Sequence, residues 1–119
     1  MIRVTNLKCA CNNGHYYYET TYFTTVENKD NGKKLYFVDK KEVTKDEGNN
    51  FYNEFIKKYK NISKEISVVE YNGDEYIKKL EDCIDPYTCY IEDYHQMEEA
   101  ESKNEEIRKV ICRVKSLLA

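Results

Sequence analysis

Arginine is scarce in this chain. Of nineteen basic residues in 119, only Arg3, Arg108 and Arg113 are arginine, and the rest are lysine. Planar, two-pronged recognition of bases and phosphates favours arginine, so direct, specific binding of nucleic acid is disfavoured. Tryptophan is absent, proline occurs once (Pro86) and glycine four times. So few breakers supply no Ser/Gly/Pro linker, and one domain over residues 1–119 is expected. Histidine occurs twice, as His15 and His95. Neither lies in an HExxH motif, and there is no glycine-rich phosphate loop and no nucleophile elbow. A thiol–imidazole pair of Cys83 or Cys89 with His95 is the remaining nucleophilic arrangement, but such pairs are defined by geometry rather than by nearness in sequence. The chain therefore reads as non-enzymatic and without a cofactor. No apolar run reaches the roughly 18 residues of a membrane span, and Met1–Asn6 lacks the apolar centre of a signal peptide. A cytoplasmic location away from membranes is expected, with the five cysteines reduced.

What is present is aromatic and charged. Twelve tyrosines and four phenylalanines supply large apolar areas, which argue against disorder. The net charge of −3 hides an asymmetry. Residues 1–60 hold eleven bases and eight acids, whereas residues 61–119 hold eight bases and fourteen acids. The window 81–106 is the extreme. It contains Glu81, Asp82, Asp85, Glu92, Asp93, Glu98, Glu99, Glu101, Glu105 and Glu106 against Lys103 alone, a net −9. Arg108, Lys109, Arg113 and Lys115 then reverse the sign. A field of one sign selects partners of the other.

Ile2, Val4 and Leu7 alternate at first and lose step around Asn6, which predicts a short strand over 2–9. Asn12-Asn13-Gly14 is a turn signal. Residues 15–27 are nearly all aromatic or β-branched, a strand composition, with Tyr16, Tyr18, Tyr22 and Val26 on one face and Tyr17 and Phe23 on the other. Asp30-Asn31-Gly32 marks a hairpin loop leading to a strand over 35–38. Thr44 with Glu47 forms a capping-box pattern. Phe51, Tyr52, Phe55, Ile56 and Tyr59 then make one apolar stripe, predicting a helix over 45–60. A strand over 65–71, a turn at Asn72-Gly73-Asp74, a short helix over 75–83 and a long helix from Tyr90 to Leu118 complete the chain. The fold class is α+β: an antiparallel sheet of three to four strands, packed by the mid-chain helix and the long C-terminal helix. Tyr18, Tyr22, Leu35, Phe37, Phe55, Ile56, Val68, Ile107, Ile111 and Val114 are expected in the core.

On the last helix, Met97, Ala100, Asn104, Ile107, Ile111, Val114 and Leu118 keep an a/d heptad spacing, with Asn104 at an a position. Val110 and Leu117 widen the stripe, which favours packing on the chain's own sheet. The competing reading is a homodimer through Met97, Ala100 and Asn104. Glu92, Glu98, Glu99, Glu105 and Glu106 fall at b and c positions, away from the stripe. Among the thiols, Cys9 and Cys11 form C-x-C with His15 four residues on, and Cys83, Cys89 and His95 are spaced by six. Zinc takes sulfur and imidazole ligands in fours, but no C-x₂-C pair occurs, so buried structural thiols come first and a zinc site or a disulfide second. Cys112 is expected in the core.

The leading expectation is a small interaction protein that offers the acidic stretch 81–106 to a basic protein surface, such as that of a nucleic-acid-binding protein. Small size, AT-rich composition, a one-signed surface and the lack of catalytic motifs suit phage or mobile-element accessory proteins. An anti-CRISPR-like inhibitor that imitates nucleic acid is one form of this class. Two alternatives stand beside it. One is a nucleic-acid or nucleotide-binding module that stacks bases on the tyrosine-rich hairpin, including Tyr17, with Lys29, Lys33, Lys34, Lys40 and Lys41 around it. The other is a small zinc-stabilised domain.

Overall fold

The computed structural model describes residues 1–12, 18–84 and 94–119, with side chains described over 1–11, 19–84 and 98–119. The elements are β1 (Ile2–Asn12), β2 (Tyr18–Asn28), β3 (Lys34–Val38), β4 (Lys41–Val43), α1 (Lys45–Lys58), β5 (Ile62–Tyr71), α2 (Gly73–Asp82) and α3 (Tyr94–Leu118). The strands form one antiparallel sheet in the order β4-β3-β2-β1-β5. This is the α+β class expected, with β4 as a fifth strand too short to show in the sequence.

β1 is longer than its broken alternation suggests. It pairs without interruption from Ile2 opposite Asn28 to Asn12 opposite Tyr18, and on its other side with β5. The loss of step at Asn6 is therefore not the end of the strand. It marks a change in which face is covered. At one end Ile2 is buried and Val4 partly buried, on one face. At the other end Cys9 and Cys11 are buried on the opposite face, because successive side chains alternate across a sheet.

Each face has its own cover. On the Ile2 face, Val26, Leu35 and Phe37 join Tyr76 of α2 and Val110, Val114 and Leu117 of α3 in one apolar cluster. On the Cys9 face, Phe55 of α1 packs on Cys9 and Cys11, with Leu7, Phe23, Tyr52, Tyr59 and Ile62 around them. Phe23 and Tyr52 meet edge-on at 5.6 Å. α1 begins where the capping box places it: Thr44 Oγ1 accepts from the Glu47 amide at 3.2 Å, and Glu47 Oε1 accepts from the Thr44 amide at 3.1 Å. Hydrogen bonding from the Thr44 amide first, and from its side chain second, holds the Glu47 carboxyl below its ordinary pKa.

Two contacts fix the long helix on the sheet. Asn28, buried at the end of β2, donates from Nδ2 to the Leu117 carbonyl at 3.1 Å, and its Oδ1 accepts from the Asp30 amide. Arg113 Nη2 donates to Glu42 Oε2 at 3.1 Å, tying α3 to β4. The Asn72-Gly73-Asp74 segment is a helix start rather than a turn, with Asn72 as the cap of α2. A Cβ at Gly73 would stand 2.9 Å from the Leu118 methyls, so any larger residue there requires the end of the Leu118 side chain to shift.

Most of the expected core is buried, with Ile56 half-buried. Three expectations are corrected. Tyr22 is exposed because α2 and α3 do not reach its end of the Ile2 face, Val68 because β5 is an edge, and Cys112 because it lies on the outer side of α3. The side chain of Tyr18 is outside the described residues.

These packing differences set the stability expected of single substitutions. Ile2→Ala should lower the unfolding free energy by about 2–5 kcal/mol, and Thr44→Ala by about 1 kcal/mol. Ile66→Thr, on the exposed edge, should change it by less than about 0.5 kcal/mol. Urea midpoints at constant slope give all three. Burial, aided by Tyr71 stacked on it at 5.3 Å, pushes the Tyr76 hydroxyl up to about 12. The folded chain thus keeps this proton at pH values where the unfolded chain releases it, so Tyr76 lowers stability as pH rises from about 10 towards 12. Absorbance titration near 295 nm should show one late-ionising tyrosine that Tyr76→Phe removes.

Candidate functional site

α3 is apolar on one face and acidic on the other. Ala100, Asn104, Ile107, Val110, Ile111, Val114 and Leu117 point inward and are buried, at the three- and four-residue spacing of one helix side. Glu98, Glu99, Glu101, Glu105 and Glu106 are exposed. None of the five has an ion-pair partner among the described residues. Glu81 and Asp82 are exposed at the end of α2, which packs on α3. Asp85, Glu92 and Asp93 are outside the described residues. Of the residues named for self-association, Met97 lies in α3 but its side chain is not described, while Ala100 and Asn104 are 7% and 1% exposed within one chain. A second copy reaches them only by displacing what already covers them.

The reversal of charge along α3 acquires a shape in the fold. The helix and the β3–β4 hairpin bound a groove of about 660 Å³. Glu105 and Glu106 stand on its wall, and opposite and beside them are four bases with no ion-pair partner among the described residues. Phe37 and Val110 line it together with Lys40, Lys41, Arg108 and Lys109. Arg113 and Glu42, also on its wall, neutralise each other, and the Glu42 carboxylate holds the Arg113 guanidinium above its ordinary pKa. The groove was not visible in the sequence, because Lys40-Lys41 and Arg108-Lys109 are far apart along the chain. Chemically it suits an anionic group with an apolar body. Cys112 also lines it, with no histidine beside it among the described side chains.

The tyrosine-rich hairpin divides its residues. Tyr22 is exposed on the Ile2 face, while Phe23 packs under α1 on the other. Lys29 and Lys34 engage Glu70 and Glu27 in ion pairs of 2.9 and 3.6 Å. Lys34, opposite Glu27, stands near the far end of β2 from Tyr22, roughly 17 Å along the strand. Tyr16 and Tyr17 are outside the described residues.

Cys9 and Cys11 are buried side by side on one face of β1 against Phe55. Burial pushes the Cys9 thiol pKa up, which opposes the thiolate that metal binding needs. Cys83 is exposed, with Sγ 3.3 Å from the Lys79 carbonyl. His15 and Cys89 are outside the described residues, as is the side chain of His95. Among the described residues, no three His, Cys, Asp or Glu side chains are grouped to hold a metal ion, and no helix is long and apolar enough to cross a membrane.

The strand over 65–71 is present as β5, and its exposure at the sheet edge is what sequence reading missed. Every residue from Ser63 to Glu70 is exposed, including Ile66 at 70%, Val68 at 56% and Val69 at 42%. Nothing in Ile66–Val69 distinguishes an edge strand from a central one. Comparison of the chain with protein-family models, with curated proteins and with solved structures found no match.

The thiols should separate by burial. Brief alkylation of the native chain followed by peptide mapping should label Cys83 and Cys112 and spare Cys9 and Cys11, which react once urea unfolds the chain. Labelling of Cys9 in the native chain at the rate of Cys112 would contradict its placement.

Proposed function

We propose that this chain is a non-enzymatic protein-binding protein that offers the outer face of α3 to a basic surface on a protein partner. The observation that supports this most is the row of exposed carboxylates Glu98, Glu99, Glu105 and Glu106, which have no ion-pair partner among the described residues. They are held on a helix whose inner side is fixed to the sheet, so little ordering is lost on binding. Their sign repels nucleic acid and attracts lysine- or arginine-rich protein.

Spacing narrows the partner. Glu98 to Glu105, and Glu99 to Glu106, are seven-residue steps, roughly 10 Å along a helix. A nucleic-acid strand carries a charge about every 3.4 Å. α3 alone therefore suits a few discrete cationic side chains. Imitation of a nucleic-acid backbone, as in a phage anti-defence inhibitor, is the narrower form of the proposal and needs Glu81 and Asp82 beside the helix. A second reading rests on the groove, whose Lys40, Lys41, Arg108 and Lys109 would take a phosphate-bearing ligand.

The test is reversal of Glu98, Glu99, Glu105 and Glu106 to lysine. The tagged wild-type chain should retain a basic protein from host extract, and the reversed chain should lose at least tenfold of it with an unchanged melting profile. Labelled single-stranded DNA should not bind the wild type at physiological salt. Equal capture by both chains counts against the acidic face, and salt-sensitive DNA binding abolished by Lys41→Glu with Lys109→Glu favours the groove instead.

A further inference from the structure

The two edges of the sheet differ. β4 has three residues, Lys41, Glu42 and Val43, and its Glu42 is tied to Arg113 of α3. β5 has ten residues, and no described strand lies on its outer side. In antiparallel pairing every second residue of such a strand turns its N–H and C=O outward. Here the side chains are exposed as well, with Ile66 and Val68 on the Cys9 face and Val69 on the Ile2 face. A long edge with exposed apolar side chains is a template for another strand.

We infer that β5 pairs antiparallel with β5 of a second copy of this chain, about a two-fold axis at Ser67. The strand's own sequence selects this occupant. Two identical edges can pair only where outward-turned residues oppose outward-turned residues, which places the axis on a residue rather than between two. With the axis at Ser67, Ile66 opposes Val68 of the second copy and Lys64 opposes Glu70 of the second copy, each pair occurring twice. These four side chains share the Cys9 face, as their β1 partners Leu7, Thr5, Cys9 and Arg3 do. An axis at Ile66 sets Lys64 against Val68, and one at Val68 sets Ile66 against Glu70. Of these three, the Ser67 register alone matches apolar with apolar and opposite charge with opposite charge on the Cys9 face, while on the Ile2 face it sets Glu65 against Val69 of the second copy.

The surroundings accept the pair. An edge-to-edge two-fold axis is perpendicular to the sheet, so like faces continue one another. α1 stands near the Ile62 end of β5 on the Cys9 face, and α2 follows Tyr71 at the other end on the Ile2 face. The helices of the two copies thus occupy separate corners. Glu70 accepts from Arg3 and Lys29 through Oε1, which leaves Oε2 for Lys64 of the second copy. Pairing from Ser63 to Tyr71 adds roughly eight to ten main-chain hydrogen bonds and joins two five-stranded sheets into one. This inference is independent of the acidic-face proposal.

Sedimentation velocity of the full chain under reducing conditions, from about 1 to 100 µM, should show a concentration-dependent dimer. Ile66→Lys with Val68→Lys should weaken it at least 100-fold, with circular dichroism unchanged and with melting unchanged at concentrations where the wild type is monomeric. In a chain carrying Cys83→Ser and Cys112→Ser, Ser67→Cys should oxidise to a covalent dimer. Cα atoms across the axis are then roughly 4.5–5.5 Å apart, within disulfide reach. Ser63→Cys, set opposite Tyr71, should not do so. A chain that stays monomeric at 100 µM overturns the inference, as does a dimer that survives both lysines.

Discussion

The structure depends on a constraint carried by β1. The strand is hydrogen-bonded along both sides, to β2 and to β5, yet its two ends bury opposite faces. Ile2 turns toward α2 and α3, and Cys9 and Cys11 turn toward α1. Strict alternation along an unbroken strand means that no single face can hold both groups. The helices must therefore lie on opposite sides of the sheet at opposite ends. The two small apolar clusters, the uncovered halves of both faces and the exposure of Tyr22 all follow from that offset.

The same offset leaves β5 bare. α1 reaches the sheet over Cys9, Cys11 and Ile62, and α2 and α3 reach it over Ile2, Val4 and Tyr71. The middle of β5, from Glu65 to Val69, lies beyond both covers. Arg3, Glu27, Lys29, Lys34 and Glu70 fill part of the open Cys9 face with ion pairs of 2.9 to 3.8 Å. Exposed pairs of this kind add little stability. They keep that end of the face polar while Ile66 and Val68 stay uncovered.

Local chemistry was legible and spatial adjacency was not. The capping box at Thr44, the hairpin at Asp30-Asn31-Gly32 and the stripe of α3 are each set by residues within one or two turns, and each appears where the sequence places it. Cys112 follows Ile111 directly and was assigned to the core with it, but one residue on a helix is a rotation of about 100°, enough to carry it outside. Lys40 and Arg108 share a groove because Leu35 and Phe37 of β3 pack on Val110, Val114 and Leu117 of α3, with Glu42 and Arg113 paired beside them. Val68 has the composition of a core strand, and only the strand order makes it an edge residue. The exposure of Glu98, Glu99, Glu105 and Glu106 was readable because heptad position fixes helix face, whereas whether anything binds there depends on a second molecule's chemistry.

The two surfaces, acidic helix and open edge, are on different elements and impose different rules on a partner. Charge on α3 acts at a distance, falls off within a Debye length of about 8–10 Å and tolerates variation in the partner's shape. Pairing on β5 demands register and contact. A pair built through β5 keeps the Ile2 faces of both copies on one side, and with them both α3 helices. The acidic strips then belong to one rigid assembly, so a partner with two basic patches engages the second strip at high effective concentration once the first is bound. Self-pairing through the edge would in this way convert a weak, salt-sensitive attraction on each helix into a stronger bivalent one without any new contact on α3.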